Sequence, residues 1–230
     1  MAKLKGFWGD LAGLKYVQVE PEDSDSNPGG AAEAPLIIAI HGRGADASDL
    51  APLAGELSPG RYRWVLPQGP RPVPFGPGHT GWAWYELGDR QAETVVESRD
   101  MLTGFLEQIK ERLQVSAERM ILSGFSQGGV MTLHVGLSSP DPYPGLAVMS
   151  GYIPAPEVLA PLLPDRRDRS VLMVHGVYDQ VLEIERARAA RDLLVSAGLT
   201  PEYHEFPMDH QITPESLAVV QEYVNRVLPA

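Results

Sequence analysis

A pentapeptide near the middle of the chain combines residues whose types and spacing suit nucleophilic catalysis. Gly124-Phe125-Ser126-Gln127-Gly128 follows the apolar run Met120-Ile121-Leu122 and opens a segment with a helical pattern. In such a strand, turn and helix context, a G-x-S-x-G sequence forms a nucleophile elbow, a sharp turn that exposes the serine hydroxyl. A side chain in place of either glycine would collide with the neighbouring strand and helix. The pattern therefore predicts that Ser126 is a nucleophile.

A serine hydroxyl is a weak nucleophile, so a histidine base and an orienting acid must lie beside it. In enzymes with this elbow the acid and then the histidine follow the serine along the chain. The later histidines His134, His175 and His204 fall within a predicted helix or at predicted strands. His210 instead falls in a loop between the last predicted strand and the last predicted helix, which makes it the candidate base.

The acid is expected in the loop that follows the strand preceding the histidine loop. The apolar run 171–174 leads through His175-Gly176-Val177-Tyr178 to Asp179, which is therefore the candidate. Asp209 is the alternative, but an Asp at that place is more typical of a turn. The predicted triad is thus Ser126, Asp179 and His210.

The tetrahedral intermediate of acyl transfer also needs two N–H donors, usually one after the nucleophile and one after an early buried strand. The first donor is predicted to be Gln127. The second falls in His41-Gly42-Arg43-Gly44, where Arg43 is the candidate. The glycines would let the backbone face the oxyanion, although a plain strand-to-helix turn would account for them as well.

The elements that must position these residues are visible as short apolar runs that alternate with helical patterns. This alternation predicts an α/β fold with a mostly parallel sheet and helices on both faces. The predicted buried strands are 36–40, 64–66, 120–122, 146–149 and 171–174, and 203–206 is predicted to be the last strand. With 230 residues and no repeat or domain-sized linker, residues 1–230 are predicted to form a single domain.

Two sets of apolar residues recur at the spacing of one face of an α-helix. The first consists of Leu102, Phe105, Leu106, Ile109 and Leu113, and the second of Leu217, Val220, Val224 and Val227. Thr213-Pro214 precedes the second set as an N-cap followed by proline at the first helical position. This helix is predicted to close the domain.

Two segments are predicted to be irregular. Residues 22–34 are read as a solvated loop between an N-terminal hairpin and the first buried strand. Residues 67–88, rich in proline, glycine and aromatics, are too long for a plain connector and are predicted to wall an acyl pocket. Phe75 and Trp82 are the candidate substrate-binding aromatics there, the alternative being that such aromatics only anchor the loop to the core.

Only about twenty residues separate the strands 146–149 and 171–174, too few for a cap domain.

Composition narrows the range of partners. The formal net charge of −11 disfavours a surface for nucleic acid or for anionic membranes, which requires clustered Lys and Arg. The absence of cysteine removes disulfides, thiolate metal sites and a cysteine nucleophile. No stretch has the length of a signal peptide core or a membrane span, so a cytoplasmic protein without stable membrane association is expected.

The residues resemble a known family, the carboxylesterase and acyl-protein thioesterase group, also labelled phospholipase/carboxylesterase, within the α/β-hydrolases. The motifs that carry the resemblance are His41-Gly42-Arg43-Gly44-Ala45-Asp46, Pro67-Gln68-Gly69-Pro70, Trp82-Ala83-Trp84-Tyr85, Gly124-Phe125-Ser126-Gln127-Gly128-Gly129, Ser150-Gly151-Tyr152, His175-Gly176 through Asp179, and His210-Gln211-Ile212. They run in family order over nearly the whole chain. Two departures are Asp209, where the family usually has glycine, and Val181-Leu182-Glu183, which replaces a Val-Val-Pro-like run.

The resemblance implies an α/β-hydrolase fold and a serine esterase that needs no cofactor and no metal. Val181 joins Phe75 and Trp82 as a predicted substrate-binding residue. The leading hypothesis is a carboxylesterase acting on small acyl esters of short to medium chain length. A thioesterase for acylated proteins or acyl-thiols, or a lysophospholipase, would share every catalytic group and stays open, as does a homodimer. An inactive hydrolase that binds ligands is less favoured, since all three triad residues are present.

Overall fold

The computed structural model describes residues 4–21, 33–76 and 78–228. The strands are β1 Leu4–Leu11, β2 Leu14–Pro21, β3 Leu36–Ile40, β4 Arg63–Pro67, β5 Arg71–Pro74, β6 Thr80–Ala83, β7 Met120–Phe125, β8 Leu146–Met149, β9 Val171–Gly176 and β10 Glu202–Phe206. The α-helices are α1 Leu53–Glu56, α2 Gln91–Leu113, α3 Gln127–Ser138, α4 Pro156–Leu159, α5 Ile184–Ser196 and α6 Pro214–Val227, and short 3-10 helices span Ala117–Arg119 and Ala160–Arg166.

Eight strands form one central sheet in the order β1-β2-β4-β3-β7-β8-β9-β10. The six strands from β4 to β10 in this order are parallel to their neighbours. Strands β1 and β2 form an antiparallel hairpin, and β2 pairs with β4 in the antiparallel sense. The mostly parallel sheet predicted from the sequence is therefore confirmed, and parallel order brings the carboxyl ends of β3, β7, β8 and β9 to one edge.

The sheet carries a hydrophobic core on each face, because successive strand residues point to opposite sides. In β3, Leu36, Ile38 and Ile40 pack in the core that α2, α3 and α5 cover. Ile37 and Ala39 pack in the other core, which α1 and α6 cover. Since both faces are covered, the central strands are continuously apolar, and that pattern is what made them recognisable in the sequence.

The five predicted buried strands and the predicted last strand are all found, the last one only partly buried, and the C-terminal helix begins at Pro214 as predicted. Thr213 caps that helix: its hydroxyl oxygen accepts from the Ser216 N–H at 3.3 Å, and the Ser216 hydroxyl accepts from the Thr213 N–H at 3.0 Å. Strands β7 and β9 run further than their apolar cores, to Phe125 and Gly176. The first extension leads directly into Ser126, and the second leads into the turn that holds Asp179.

The prediction that segment 67–88 is irregular is wrong in part, because it contains the antiparallel hairpin of β5 and β6. Pro72 and Pro74 obscure the strand in the sequence, since proline donates no ladder hydrogen bond. They alternate with Arg71 and Val73, whose N–H groups remain for the ladder. The burial of β5 alternates in the same way.

Other segment predictions have mixed outcomes. Residues 22–32 of the predicted loop 22–34 lie outside the described residues. Between β8 and β9 the chain forms only α4, the 3-10 helix Ala160–Arg166 and loops, so the described residues of this connection hold no cap domain. None of the described helices combines the length and the apolar composition that a membrane span requires.

Candidate active site

The turn between β7 and α3 forces Ser126 into a rare backbone conformation. Its φ is 56° and its ψ is −119°, a strained combination for a residue with a side chain. The neighbouring glycines leave no room for side chains. A Cβ on Gly124 would lie 2.3 Å from the Gly128 carbonyl carbon, and one on Gly128 would lie 1.8 Å from the Ile40 oxygen. The close approach of β3, β7 and α3 thus requires both glycines, as the sequence predicted.

Three predicted site residues, from separate loops, are linked by hydrogen bonds. His210 Nε2 lies 3.0 Å from Ser126 Oγ, and His210 Nδ1 lies 2.6 Å from Asp179 Oδ2. A carboxylate only accepts hydrogen bonds, so Nδ1 carries the ring hydrogen and Nε2 presents its lone pair to the serine hydroxyl. This arrangement allows the imidazole to take a proton from Ser126 while Asp179 stabilises the resulting cation.

The Asp179 carboxylate is wholly buried and is held by backbone groups that follow it in the chain. Its Oδ1 accepts from the N–H groups of Val181 at 2.9 Å and Leu182 at 2.8 Å, while Oδ2 faces His210. The buried His175 supports the same turn, because its Nε2 donates to the Leu182 carbonyl oxygen at 2.8 Å. Burial lowers the pKa of His175, which favours the neutral ring beside the Asp179 carboxylate, 3.4 Å away.

The loop that carries His210 packs against the loop that carries Asp179. The N–H of Val177 donates to the Phe206 oxygen at 2.8 Å, and the N–H of Tyr178 donates to the Met208 oxygen at 3.1 Å. The close approach depends on Gly176, where a Cβ would lie 2.2 Å from the Met208 oxygen. These contacts join the two loops near the ends of β9 and β10.

The Gly42–Arg43 peptide is oriented by the buried His41. His41 Nε2 accepts from the Gly69 N–H at 2.9 Å, so Nδ1 carries the hydrogen and donates it to the Gly42 oxygen at 2.7 Å. A trans peptide directs its C=O and N–H to opposite sides, so the Arg43 N–H points away from His41. Burial lowers the pKa of His41 to about 4, which keeps the ring neutral in this role.

The same loop is paired with β6 on its other side. The Gly44 N–H donates to the Trp82 oxygen at 2.8 Å, and the Trp82 N–H donates to the Ala45 oxygen at 2.9 Å. Within the residues described, neither the Arg43 N–H nor the Gln127 N–H donates to a protein acceptor. Gln127 is the first residue of α3, where a helix leaves its N–H groups unpaired. Both amides can therefore serve an incoming oxygen.

The Gln127 side chain joins the elbow to segment 67–88, a role the sequence analysis missed. Its Oε1 accepts from the Trp84 N–H at 2.9 Å, and its Nε2 donates to the Tyr85 oxygen at 3.0 Å. The side chains of Trp84 and Tyr85 are fully buried, so these two aromatics anchor the segment to the core. His41 was missed in the same way, because its contact with Gly69 is invisible in the sequence.

A cavity of about 450 Å³ opens beside Ser126. Its lining includes Gly42, Arg43, Gly44, Asp46, Asp49, Phe75, His79, Ser126 and His210. The Phe75 ring lies against Gly44, where a Cβ would meet it at 2.4 Å, yet the residue is 59% exposed. Of the predicted substrate-binding residues, Phe75 lines this cavity, whereas Trp82 and Val181 are not among the described residues that do so.

The cavity wall carries charges of both signs. Arg43 lies on the same loop as Asp46 and Asp49, and all three line the cavity. Burial, together with the nearby Asp46, raises the pKa of Asp49. Within the described ranges, no three His, Asp or Glu side chains are grouped so that they could hold a metal ion.

Comparisons with known proteins relate this chain to a family. A family model described as Phospholipase/Carboxylesterase matches residues 26–228. Acyl-protein thioesterase 1 homolog 1 of Dictyostelium discoideum is 27% identical over 206 residues, which cover 84% of this chain and 90% of that protein. A probable carboxylesterase of Oryza sativa subsp. japonica is 27% identical over 210 residues, which cover 85% and 78% of the two chains.

A solved structure shares the fold. The crystal structure of a carboxylesterase from Mesorhizobium loti has a TM-score of 0.77 at 19% identity, covering 95% of this chain and 98% of that chain. At this identity the likeness establishes the α/β-hydrolase fold alone, whereas the family model spans most of the sequence. The chain therefore belongs to the phospholipase/carboxylesterase family of the α/β-hydrolases.

Proposed function

We propose that this protein is a serine hydrolase that cleaves carboxylic esters of short to medium acyl chains through an acyl-enzyme intermediate. The observation that carries the proposal is the hydrogen-bonded series Ser126, His210 and Asp179 beside a cavity of about 450 Å³. Relatives named as carboxylesterases and acyl-protein thioesterases support the same reaction class.

In the first half of the reaction, His210 takes the proton of the Ser126 hydroxyl as the oxygen attacks the acyl carbon. The negative oxygen of the tetrahedral intermediate accepts hydrogen bonds from the N–H groups of Arg43 and Gln127. His210 then gives its proton to the leaving alcohol, and Ser126 is left acylated. Donors already oriented by His41 and by the helix start need no reorganisation during this step.

In the second half, a water molecule attacks the acyl-serine. His210 removes a proton from that water, and the same two amides hold the second oxyanion. As the C–O bond to Ser126 breaks, His210 returns the proton to Oγ, and the acid leaves with the Ser126 hydroxyl regenerated. Asp179 keeps Nδ1 protonated throughout, so Nε2 remains the atom that exchanges protons. The scheme uses only groups of this chain, and we expect no response to a chelator or to added divalent ions.

The alternative substrate is a thioester, since relatives are named as acyl-protein thioesterases. The catalytic groups would be shared, because the attacked atom and the oxyanion are the same in both reactions. What would differ is the leaving group, which is an alcohol for an ester and a thiol for a thioester. Matched acyl esters and acyl thioesters of equal chain length would therefore rank the two activities through kcat/KM.

The decisive experiment is labelling with a fluorophosphonate, which reacts with a serine that has been activated by a base. We expect one adduct per chain, located by peptide mass spectrometry on the peptide that contains Ser126, and none after prior denaturation. The control is the Ser126→Ala variant, which should not be labelled. A native protein that stays unlabelled and inactive on all esters and thioesters would instead support an inactive hydrolase that binds ligands.

A further inference from the structure

Asp209 lies between the two loops that carry the proposed acid and base. Its Oδ1 accepts from the N–H of His210 at 2.8 Å and from the N–H of Gln180 at 3.3 Å. Gln180 directly follows Asp179, so one carboxylate oxygen bonds both to His210 and to the neighbour of Asp179. Asp209 itself is exposed and makes no contact with the imidazole that would give it the orienting role.

The position of this contact distinguishes it from the other links between the loops. The backbone bonds from Val177 to Phe206 and from Tyr178 to Met208 lie nearer to the ends of the strands. Beyond them, the loops that hold Asp179 and His210 extend toward Ser126. In that outer part, within the residues described, the hydrogen bonds that cross between the loops are the Asp179–His210 contact itself and the bond from Gln180 to Asp209.

We propose that Asp209 is a positioning residue that links the loop carrying Asp179 to the loop carrying His210 and so keeps His210 within reach of Ser126. This inference rests on the proposed function of Ser126, Asp179 and His210. An imidazole that must meet a carboxylate at 2.6 Å and a hydroxyl at 3.0 Å tolerates little displacement. A shift of about 1 Å at a catalytic group can lower a rate by roughly a hundredfold, and a partly loosened loop should cost less.

The two hydrogen bonds of Asp209 Oδ1 require an acceptor oxygen on a short side chain and do not require a negative charge. Asp209→Asn keeps an oxygen at Oδ1 and removes the charge, whereas Asp209→Ala removes the oxygen. Asp209 does not have a positive φ, so alanine fits its backbone without strain. Asp168→Ala, in an exposed turn before β9, serves as the control for loss of a surface carboxylate.

The experiment measures kcat and KM for a short ester in the four proteins, together with the rate of fluorophosphonate labelling. We expect Asp209→Ala to lower kcat and the labelling rate by roughly tenfold with KM unchanged, because substrate contacts remain. Asp209→Asn should restore both to within about twofold of the native protein, and Asp168→Ala should match the native protein. The NMR resonance of the His210 Nδ1 hydrogen should broaden in Asp209→Ala and stay sharp in Asp209→Asn.

Two results would overturn the inference. One is an Asp209→Ala protein whose kcat and labelling rate stay within twofold of native. The other is equal loss in the Asn and Ala variants, which would assign the effect to charge. Thermal unfolding of each variant separates either result from misfolding. Failure of the proposed function looks different, because the native protein itself would then lack both labelling at Ser126 and turnover.

Discussion

The two sides of the cavity beside Ser126 are built in different ways. The catalytic side consists of the elbow, the loop that carries Arg43 and the turn that holds Asp179, and its contacts are backbone hydrogen bonds and buried side chains. The hairpin side is the tip between β5 and β6, where Phe75 is 59% exposed and glycines with positive φ follow. On the proposed function, the chemistry would therefore depend on backbone positions, and substrate selectivity would depend on an exposed side chain.

The largest expected effect comes from the catalytic side. Ser126→Ala should lower kcat by about 10⁴ to 10⁶ while the fold stays intact, because the hydroxyl carries the covalent step and contributes little packing. His210→Ala should cost nearly as much. Ester turnover and far-UV circular dichroism measure the two quantities. A Ser126→Ala protein that retained even about a tenth of native turnover would point to another nucleophile.

The close backbone packing on the catalytic side can be tested by a substitution that adds a methyl group to a glycine. Gly128→Ala places a Cβ 1.8 Å from the Ile40 oxygen, so the helix or the strand must move. We expect the free energy of unfolding to fall by at least about 3 kcal/mol in urea titrations. Gly104→Ala in α2 is the control, since a Cβ there meets nothing within 4 Å and should stabilise the helix by about 0.5–1 kcal/mol. Equal stability of the two variants would contradict the tight packing.

The hairpin side should affect selectivity and leave the chemistry in place. Phe75→Ala enlarges the cavity, so the ratio of kcat/KM for the octanoyl ester to kcat/KM for the acetyl ester should rise. The expected change corresponds to about 1–3 kcal/mol in the difference between the two activation free energies. Trp82→Ala is the matched comparison, because its ring does not line the cavity although its backbone holds the loop that carries Arg43. If the two variants show the same change in chain-length profile, the assignment of the wall to Phe75 is wrong.

The smallest effect concerns pH and the helix behind the elbow. Burial lowers the pKa of His134 in α3 to about 4, and its Nε2 donates to the Pro154 oxygen at 3.1 Å. Between its ordinary pKa and about pH 4 the unfolded chain binds a proton that the folded chain does not, so stability falls as pH falls through this window. His134→Gln keeps a donor and removes the titration. The drop in unfolding free energy from about pH 7.5 to about pH 5.5 should shrink by about 1 kcal/mol. An unchanged drop would show that His134 does not titrate as inferred.

The sequence predicted the features that depend on local pattern and chain order. The buried strands were recognisable because residues covered on both faces are apolar throughout, as in 36–40. Ser126, Asp179 and His210 could be selected because the fold fixes the order in which such residues appear, and their role remains a prediction. The loop position of His210 was the deciding signal.

What escaped prediction depends on contacts between distant residues. The hairpin of β5 and β6 was hidden by Pro72 and Pro74, whose alternation is compatible with a ladder on one side only. His41 reaches Gly69, and Gln127 reaches Trp84, through backbone groups that every residue possesses. No residue type in the sequence marks a partner of that kind.

The Gln127 amide has a consequence for changing this protein by directed evolution. Its side chain accepts a hydrogen bond from the Trp84 N–H and donates one to the Tyr85 oxygen. A Glu side chain would lack the donor, and an Asn side chain would be too short to reach both groups. Libraries that randomise Gln127 should therefore yield mostly inactive clones. Those confined to the hairpin tip around Phe75 should keep activity and differ in substrate range, so mutational tolerance would change sharply within one small cavity.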